Sequence, residues 1–521
     1  MLRDKRPFPS ISIIVLNYNS MTHLRDNFDS LLHLNYPADQ LEIILADNAS
    51  TDGSVAWVKK TYPIVHIVQN EDNLGYAAGN NAAVLAARGK WVVILNPDMR
   101  VESDWLMELT RPLSTNPQPA CVASKVLSWN GSAIDFADAA INFMGWGCQP
   151  GYGSQHLDAY NADKPLLFAN GGAMLIKRDV FLEIGGFDAD YFAYYEDVDL
   201  GWRLWLHDYN VSFAARAVVF HRHHGSWEGV NTAKKQLLSE RNTLFTIIKN
   251  YEDDNLARIL PAALLLLLQR AYLDVRPDPS AFENTPAAPT TRIFGVRYYL
   301  KQVRDLLANG RLRELTVRAQ DEVARRWRKR GQDVVVGKWP FQHPLTQHPV
   351  DGQFQVPAIA LSRLLAGREL LNTFPHLLAK REKNQATRQR PDAQIFPLFQ
   401  WELISNFNDD QFIHAMNQII AKFGLVDLFG HKQAAPLSTD TRALSEQVSL
   451  LLLQRMDSIF TQSHAPESVF HIGTESPQAT YAMSHADIAL LAEMNTILWS
   501  LPEASLADLL HWLKQKMSTE R

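Results

Sequence analysis

The sequence predicts an α/β protein: a doubly wound, mostly parallel sheet at the N-terminal end, followed by a mainly α-helical C-terminal region. Three observations carry this. Short, nearly continuous apolar and β-branched runs recur, as in strands buried on both faces of a sheet. Each run ends in a polar turn and gives way to a helical period, the alternation that builds parallel sheets. After about residue 228 the strand signal stops.

The first run is Ile11–Leu16, closed by Asn17-Tyr18-Asn19-Ser20, residues that suit a turn and a helix cap. A helical period follows through Leu24, Phe28, Leu31 and Leu32. Leu41–Leu45 is a second strand, ending in Asp47-Asn-Ala-Ser-Thr-Asp-Gly-Ser54. Val65–Val68 is a third, followed by Asn70 to Gly75. Gly75–Arg88 is Ala-rich and helical, with Gly89 as its stop. Trp91–Leu95 is a fourth strand, ending in Asn96-Pro97-Asp98, and Val122–Leu127 is a further one. Asn142–Tyr152, rich in glycine and aromatics and including Trp146, reads either as a loop that covers a sugar or as an ordinary surface loop. Phe168–Arg178 is a turn into a strand, and Gly185-Gly-Phe-Asp188 closes the next short helix. Val211–Phe220 is a strand that delivers His221-Arg-His-His-Gly-Ser226. Polar residues thus gather after strand C-termini, where open α/β sheets bind ligands.

Beyond 228 the periods are helical: Thr232–Tyr251, Asn255–Leu273, Ala358–Leu378, Asp410–Phe423, Thr441–Phe460, Ser484–Leu501 and Leu506–Met517. Four prolines mark 276–291 as a linker, and twelve Lys/Arg against four Asp/Glu make 292–330 basic. The expected division is therefore 1–228, a helical extension 229–275, a linker 276–291, and a helical domain 292–521.

Length allows two or three domains, at roughly 100–200 residues each. With 46% hydrophobic and 21% charged residues the chain is globular, and a net charge of −5 gives no global reason to expect nucleic acid. Two cysteines, Cys121 and Cys148, make neither a disulfide framework nor a cysteine metal site, so a reducing cytosol is expected. The charged start turns directly into a strand pattern, and no signal peptide is expected. The most apolar run, Leu256–Leu268, is shorter than the ~20 residues that span a bilayer, and reads first as a buried helix, second as a membrane-surface helix.

Tyr194–Arg203 places three carboxylates, Glu196, Asp197 and Asp199, in four positions among aromatic residues. Like charge and poor solvation both raise carboxylate pKa values, the setting of a general base near neutral pH. An acidic first helical turn is the plainer reading. It is preferred for Asp199, because Arg203 lies four residues on and can pair with it. For Asp197 the choice depends on what the chain places beside it. Asp98, on a turn shaped by Pro97, reads either as a residue that can hold a divalent cation against a diphosphate or simply as part of the turn, and a histidine cluster has structural uses too. His221 and His223 follow a strand on one face. Carboxylate and imidazole suit Mn²⁺ or Mg²⁺ when phosphate and water supply the other ligands.

These stretches, in this order, resemble the inverting family 2 glycosyltransferases of the GT-A fold, and within them the bacterial rhamnosyltransferase-type branch. The resemblance covers about 9–251 and rests on Ser12–Asn19, Asp47–Ser54, Asn73–Asn81, Leu95–Asp98, Asn170–Ala173, Gly185–Asp188, Tyr195–Leu200 and His221–Ser226. Glu240–Tyr251 is similar to the helical tail such enzymes carry. The resemblance implies a nucleotide pocket lined by Asn17, Asn19, Asp47, Asn48, Asn73, Gly75, Asn80 and Asn96, with Asp47 accepting from the base and Asp52 nearby. It implies Asp197 as catalytic base, with Glu196 orienting it or the acceptor. Gly171, Gly172 and Ala173 would floor the sugar site, with Trp146 on the loop above. Asp98, with His221 or His223, would complete a Mn²⁺ or Mg²⁺ site. One departure stands out: the first Asp of the family's Asp-x-Asp motif is Asn96 here, a weaker ligand that adds no charge.

The activity so implied is inverting transfer of a sugar from a nucleotide-diphosphate donor, dTDP-rhamnose or a UDP-hexose, to a hydroxyl of a glycan or lipid-linked acceptor. A nucleotidyltransferase would want a Gly-rich, basic loop after the first strand, and a dinucleotide dehydrogenase a Gly-x-Gly-x-x-Gly; the chain has Asn17-Tyr-Asn-Ser20 there. A non-catalytic glycan- or nucleotide-binding scaffold of the same fold is the alternative from another class. The basic stretch 311–330 reads either as a patch for anionic lipid at the cytoplasmic membrane face or as the solvated side of a packed helix.

Overall fold

In the computed structural model the described residues are 8–222, 232–275, 353–405, 407–430, 435–461 and 480–518. The expectations for the linker 276–291, for the basic stretch 292–330 and for His223 lie outside them. The described residues fall in one compact unit made of 1–275 and 349–521.

The apolar runs become strands. β1 (Ile11–Asn17) and β4 (Trp91–Leu95) are buried along their whole length, and β2 (Leu41–Asn48) along its last six residues. β1 pairs parallel with β2 and with β4, and β2 pairs parallel with β3 (His66–Asn70). The helices α1 (Met21–Leu32), α2 (Ser54–Thr61) and α3 (Gly75–Ala86) alternate with these strands, as the alternation of periods predicts. The register Asn17↔Asp47 and Asn48↔Asn70 brings the polar strand ends to one edge.

The other half of the sheet is mixed. It holds β5 (Met99–Val101), β6 (Cys121–Ser128), β7 (Ile134–Phe136), β10 (Lys164–Pro165), β11 (Ala173–Lys177) and β12 (Val211–His221), with β8 (Ala140–Ile141) and β9 (Gly147–Cys148) as a separate hairpin. The order is β10-β12-β6-β11-β4-β1-β2-β3, with β5 on β12 and β7 on β6. The parallel character expected of the sheet holds from β3 to β4. β11 runs antiparallel to both β4 and β6. That reversal brings the start of β11 beside the end of β4, and Asn96 N–H donates to Gly172 C=O at 2.8 Å.

Beyond the sheet, α4 (Trp105–Thr110), α5 (Arg178–Glu183) and α6 (Glu196–Leu206) complete the first part, and α7 (Thr232–Asn250) and α8 (Asp253–Val275) follow. α8 is 23 residues long, ten more than the apolar run inside it, and its mean hydropathy of 1.5 over the best window would let it cross a membrane by length and composition. Within the fold 83% of that window is buried, as a core helix should be. The C-terminal region is mainly helical, led by α9 (Ala358–Ala386). Its one described strand pair, Gln353–Pro357 with Thr480–Ser484, was not legible in the sequence.

α6 is fixed to its neighbours by buried charge. Asp199 is fully buried and pairs with Arg203 at 2.8 Å, as the four-residue spacing predicts, and also with Lys249 Nζ at 2.9 Å and Asn250 Nδ2 at 3.0 Å. Lys249 reaches on to Asp188 at 2.6 Å, which Lys380 of α9 also binds. Burial alone would raise the Asp188 carboxyl, but the two ammonium groups outweigh it and hold it well below the usual carboxylate range. A carboxylate so depressed stabilises the fold above the unfolded-state pKa, about 3.9, and loses that contribution as pH falls below it. Lys249→Met should therefore destabilise by about 3 kcal/mol, because it leaves buried carboxylates short of a partner. The measurement is the urea midpoint at pH 7. The gap between parent and variant should narrow below about pH 4.

Candidate active site

The ends of β1, β2 and β3 form a polar cradle. Asn17 is fully buried, and its Nδ2 donates to Asp47 Oδ1 at 2.7 Å, Ser54 Oγ at 2.8 Å and Ser50 Oγ at 3.0 Å. Asp47 Oδ2 takes the Ser50 N–H at 3.0 Å. Asn17 and Asp47 thus spend their hydrogen bonds on each other and on the 47–54 turn. Asn19 is exposed, with φ 52°, and its Oδ1 accepts from Thr51 N–H at 2.8 Å. Asn48 bonds Gly75 C=O, Asn70 and Asn73, while Asn73 Oδ1 also takes the Gly75 N–H at 3.0 Å. Asn80 is fully buried on α3, and its Oδ1 and the Oδ1 of Asn96 are buried without a protein hydrogen-bond partner. Asp52 sits at the rim, its Oδ2 accepting from Met21 N–H.

Across the end of β4, Asp98 is buried, and its Oδ2 faces His221 Nε2 at 3.4 Å. His221 Nδ1 meets Asp135 Oδ2 at 2.5 Å. Burial would lower the His221 pKa, but the two carboxylates push it up to about 9. Asp135, on β7, is a site residue that the sequence did not reveal, since it lies 86 positions from its histidine. Asp98 and His221, the latter oriented through its other nitrogen by Asp135, are donors of the kind Mn²⁺ or Mg²⁺ accepts, and among the described residues no group of three His, Cys, Asp or Glu side chains gathers to hold a metal ion. Gly172 lies directly below: a Cβ there would sit 2.8 Å from Asn96 Nδ2 and 2.9 Å from Met99 Cε.

The acidic helix starts from a strained turn. Phe192, Tyr194 and Tyr195 have φ of 60°, 70° and 67°, left-handed values that cost non-glycine residues about 1–3 kcal/mol each. Phe192 C=O accepts from Tyr76 N–H at 2.6 Å and Ala77 N–H at 3.1 Å, closing the first turn of α3. Asp197 follows, half-buried. Its Oδ2 accepts from Gly171 N–H and its Oδ1 from Val198 N–H, both at 2.8 Å. Burial raises its pKa, and these N–H groups limit the rise. Glu196 is buried, with Oε2 unpartnered. Burial first, and then the Asp197 charge, push it well above the carboxylate range. Of the adjacent pair, Asp197 is the one equipped to ionise. Tyr76 Oη donates to Gly171 C=O at 2.9 Å, steadying the residue that holds Asp197.

Asp197 opens into a cleft of about 400 Å³ lined by Gly147, Gln149, Tyr152, Phe168, Tyr194 and Tyr195. The 142–152 loop therefore supplies one wall. Its base is anchored: Phe143 N–H donates to Glu402 C=O at 2.8 Å, and Gly145 packs against Thr243 of α7. Trp146 lies between Tyr195, edge-on at 5.7 Å, and the Arg270 guanidinium, 4.8 Å from its ring centre. Of the expected residues, Asp197 lines this cleft, Gly171 holds its carboxylate and Trp146 packs on Tyr195 of the wall, whereas Gly172 and Ala173 sit at the end of β4 with Asn96, Asp98 and His221. Tyr152, Tyr194, Tyr195 and Asp135 join them without any local pattern having marked them as a set.

Residues 12–185 match the family model for Glycosyl transferase family 2. The chain is 28% identical over 244 residues to N-acetylglucosaminyl-diphospho-decaprenol L-rhamnosyltransferase of Mycobacterium tuberculosis, covering 42% of this chain and 77% of that protein. It is 25% identical over 209 residues to a low-salt glycan biosynthesis hexosyltransferase of Haloferax volcanii, covering 39% and 63%. Among solved structures it aligns with GalNAc-T7 bound to UDP, GalNAc and Mn²⁺ at 17% identity and a TM-score of 0.41, covering 50% of this chain and 51% of that one.

Gly75 ties the cradle to the strained turn. It has φ +78°, and a Cβ would lie 2.5 Å from the Phe192 ring and 2.6 Å from its carbonyl oxygen. Gly53 has the same kind of backbone (φ +82°) with nothing within 4 Å. Gly53→Ala should lose only the conformational preference, about 1 kcal/mol, whereas Gly75→Ala should lose at least twice that. Urea denaturation of the two variants compares them, and equal losses would show that the Phe192 contact yields freely.

Proposed function

We propose that this chain, a family 2 glycosyltransferase, inverts the anomeric centre of a nucleotide-activated sugar while passing it to an acceptor hydroxyl, with Asp197 as the base. The observation that carries this reading is the Asp197 carboxylate, held by Gly171 N–H at 2.8 Å and open to an aromatic-lined cleft. The nucleotide takes the cradle at the ends of β1 to β4, where Asn19, Asn73, Asn80 and Asn96 supply amide groups. Asn17, Asp47 and Asn48 act there by shaping the loops, given that they bond mainly to one another and to the turn. The acceptor enters between Tyr152, Tyr194 and Tyr195, whose rings suit the apolar face of a sugar.

The acceptor O–H passes its proton to Asp197 as its oxygen attacks the anomeric carbon. The bond from that carbon to the diphosphate oxygen breaks on the opposite side, and the anomeric configuration inverts. Glu196, pushed toward its neutral form by burial and by the Asp197 charge, competes less with Asp197 for ionisation. Asp98 and His221, with Asp135 behind the histidine, would hold a divalent cation that neutralises charge on the departing diphosphate. The Mycobacterium tuberculosis relative is named for L-rhamnosyl transfer to a diphospho-decaprenol-linked N-acetylglucosamine, which favours a rhamnose-type donor and a lipid-linked acceptor here. The Haloferax volcanii relative keeps a hexose donor in view. A lipid-linked acceptor taken together with a nucleotide-sugar donor fits work at the cytosolic face of a membrane.

Asp197→Asn should bind UDP or dTDP normally yet lose about 10²–10⁴-fold in turnover. Nucleoside-diphosphate release from a panel of nucleotide-sugars measures this, and full activity would remove Asp197 from the role. The pH profile adds a signature. Because burial raises the Asp197 pKa and the base acts ionised, kcat/KM should fall on acidification at a pH above the ordinary Asp range.

Asp98→Ala should weaken nucleotide binding about tenfold or more in Mn²⁺ and scarcely at all in chelator. Calorimetry with UDP and dTDP reads both arms. Equal losses in the two would make Asp98 a purely structural residue.

A further inference from the structure

The turn that presents Asp197 is left-handed at three non-glycine residues, so something outside it must hold it there. The holder lies on α7. Asn242 is fully buried, and the two hydrogens of its amide nitrogen are shared among three carbonyls of the turn: Tyr191 C=O at 3.0 Å, Ala193 C=O at 2.9 Å and Tyr194 C=O at 2.8 Å. Its own Oδ1 is fixed by Arg241 Nε at 3.0 Å. Arg241 in turn donates to Asp190 C=O at 2.8 Å and pairs with Glu369 of α9 at 2.9 Å. On the far side, Phe192 C=O is taken by the Tyr76 and Ala77 amides. The turn is thus gripped between α3 and α7, and α6 begins where the grip ends.

We propose that Asn242 is a positioning residue for the reaction: from α7 it holds the 192–195 turn in its left-handed form and so fixes where α6 presents Asp197 to the acceptor. The inference rests on the reading of Asp197 as the base. The physical reason is specific to an amide. A hydrogen-bond donor that gathers carbonyls pointing the same way offsets the crowding of a left-handed run, and no apolar or acidic side chain of that size can do so. The cradle has its own hydrogen bonds among Asn48, Asn73 and Gly75 and meets the turn only at Phe192, so nucleotide binding should suffer far less than turnover when Asn242 is replaced.

The test uses the full chain with Asn242→Ala and Asn242→Asp, the second keeping size and Oδ1 while removing the donor. Each should bind UDP or dTDP within about twofold of the parent, yet release nucleoside diphosphate from UDP-glucose or dTDP-L-rhamnose about 10–100-fold more slowly, the scale of a small misplacement of a reacting group. Amide exchange supplies a readout that needs no turnover: Gly171 and Val198, whose N–H groups bond the Asp197 carboxylate, should lose protection in both variants. In the unsubstituted protein these two amides should open together with α7 as urea rises, which covers the case in which neither variant folds. Turnover within threefold of the parent, unchanged protection at Gly171, or opening of Gly171 and Val198 well before α7 would each overturn the inference. If Asp197→Asn is inert while Asn242→Ala is fully active, only the role of Asn242 falls; if Asp197→Asn is fully active, the base assignment falls first.

Discussion

A carboxylate with no exposed surface decides where the acidic helix can sit. Asp199 is removed from water two residues past Asp197, and its charge is answered by Arg203 from its own helix and Lys249 from α7. Burying an uncompensated ion costs several kcal/mol, so α6 has little freedom to slide or rotate without losing one of these partners. Lys249 is shared with Asp188, which fastens the Gly185–Asp188 turn to the same point, and Lys380 extends the tie to α9. The position of Asp197 is therefore inherited from a network in which it takes no part.

That network explains how three acidic residues within four positions behave differently. Asp199 is paired and held ionised, with a pKa below the ordinary range despite its burial. Glu196 is buried without a cation and is driven toward its neutral form. Asp197 lies between these extremes: burial raises it, and backbone N–H groups restrain it. Divergent environments for adjacent titratable groups are how a fold separates acid, base and scaffold roles. The cleft opens onto the one carboxylate of the three that is neither committed to a salt bridge nor stripped of donors.

The sequence was most legible where structure is local. The β1, β2 and β4 runs and the helical periods carry their own patterns, and polar strand ends mark the site because parallel strands point their C-termini the same way. Asp98 and His221 meet because β5 and β12 pair through Met99 and His221. What the sequence could not convey is long-range. Asp135 gains meaning only when β7 pairs with β6, which also pairs with β12, and the antiparallel direction of β11 is invisible in the short run Ala173–Lys177. Asn17 and Asp47 are of the expected type in the expected place, yet their hydrogen bonds are turned inward on the loop. The triple contact of Asn242 depends on how α7 crosses a turn some fifty residues earlier.

The helical C-terminal residues take on a role that no motif in them announces. Glu240 on α7 is balanced by Arg270 of α8 at 2.6 Å and by Arg363 of α9, and Arg363 by Asp274 at 2.5 Å. Arg270 is thereby fixed over Trp146, which stands against Tyr195 in the cleft wall. A second strap runs from 399 to 404: Phe399 and Glu402 carbonyls take the Ile141 and Phe143 amides, and Ile404 C=O takes the Asn142 side chain. These are buried backbone groups, and each would be costly to leave unpaired. Without the residues beyond 251, Glu240 would lack Arg270 and Arg363, and the loop that walls the Asp197 cleft would lack its strap. The family match ends at 185, while the contacts that hold the wall of the Asp197 cleft reach through α7 and α8 to the strap at 404.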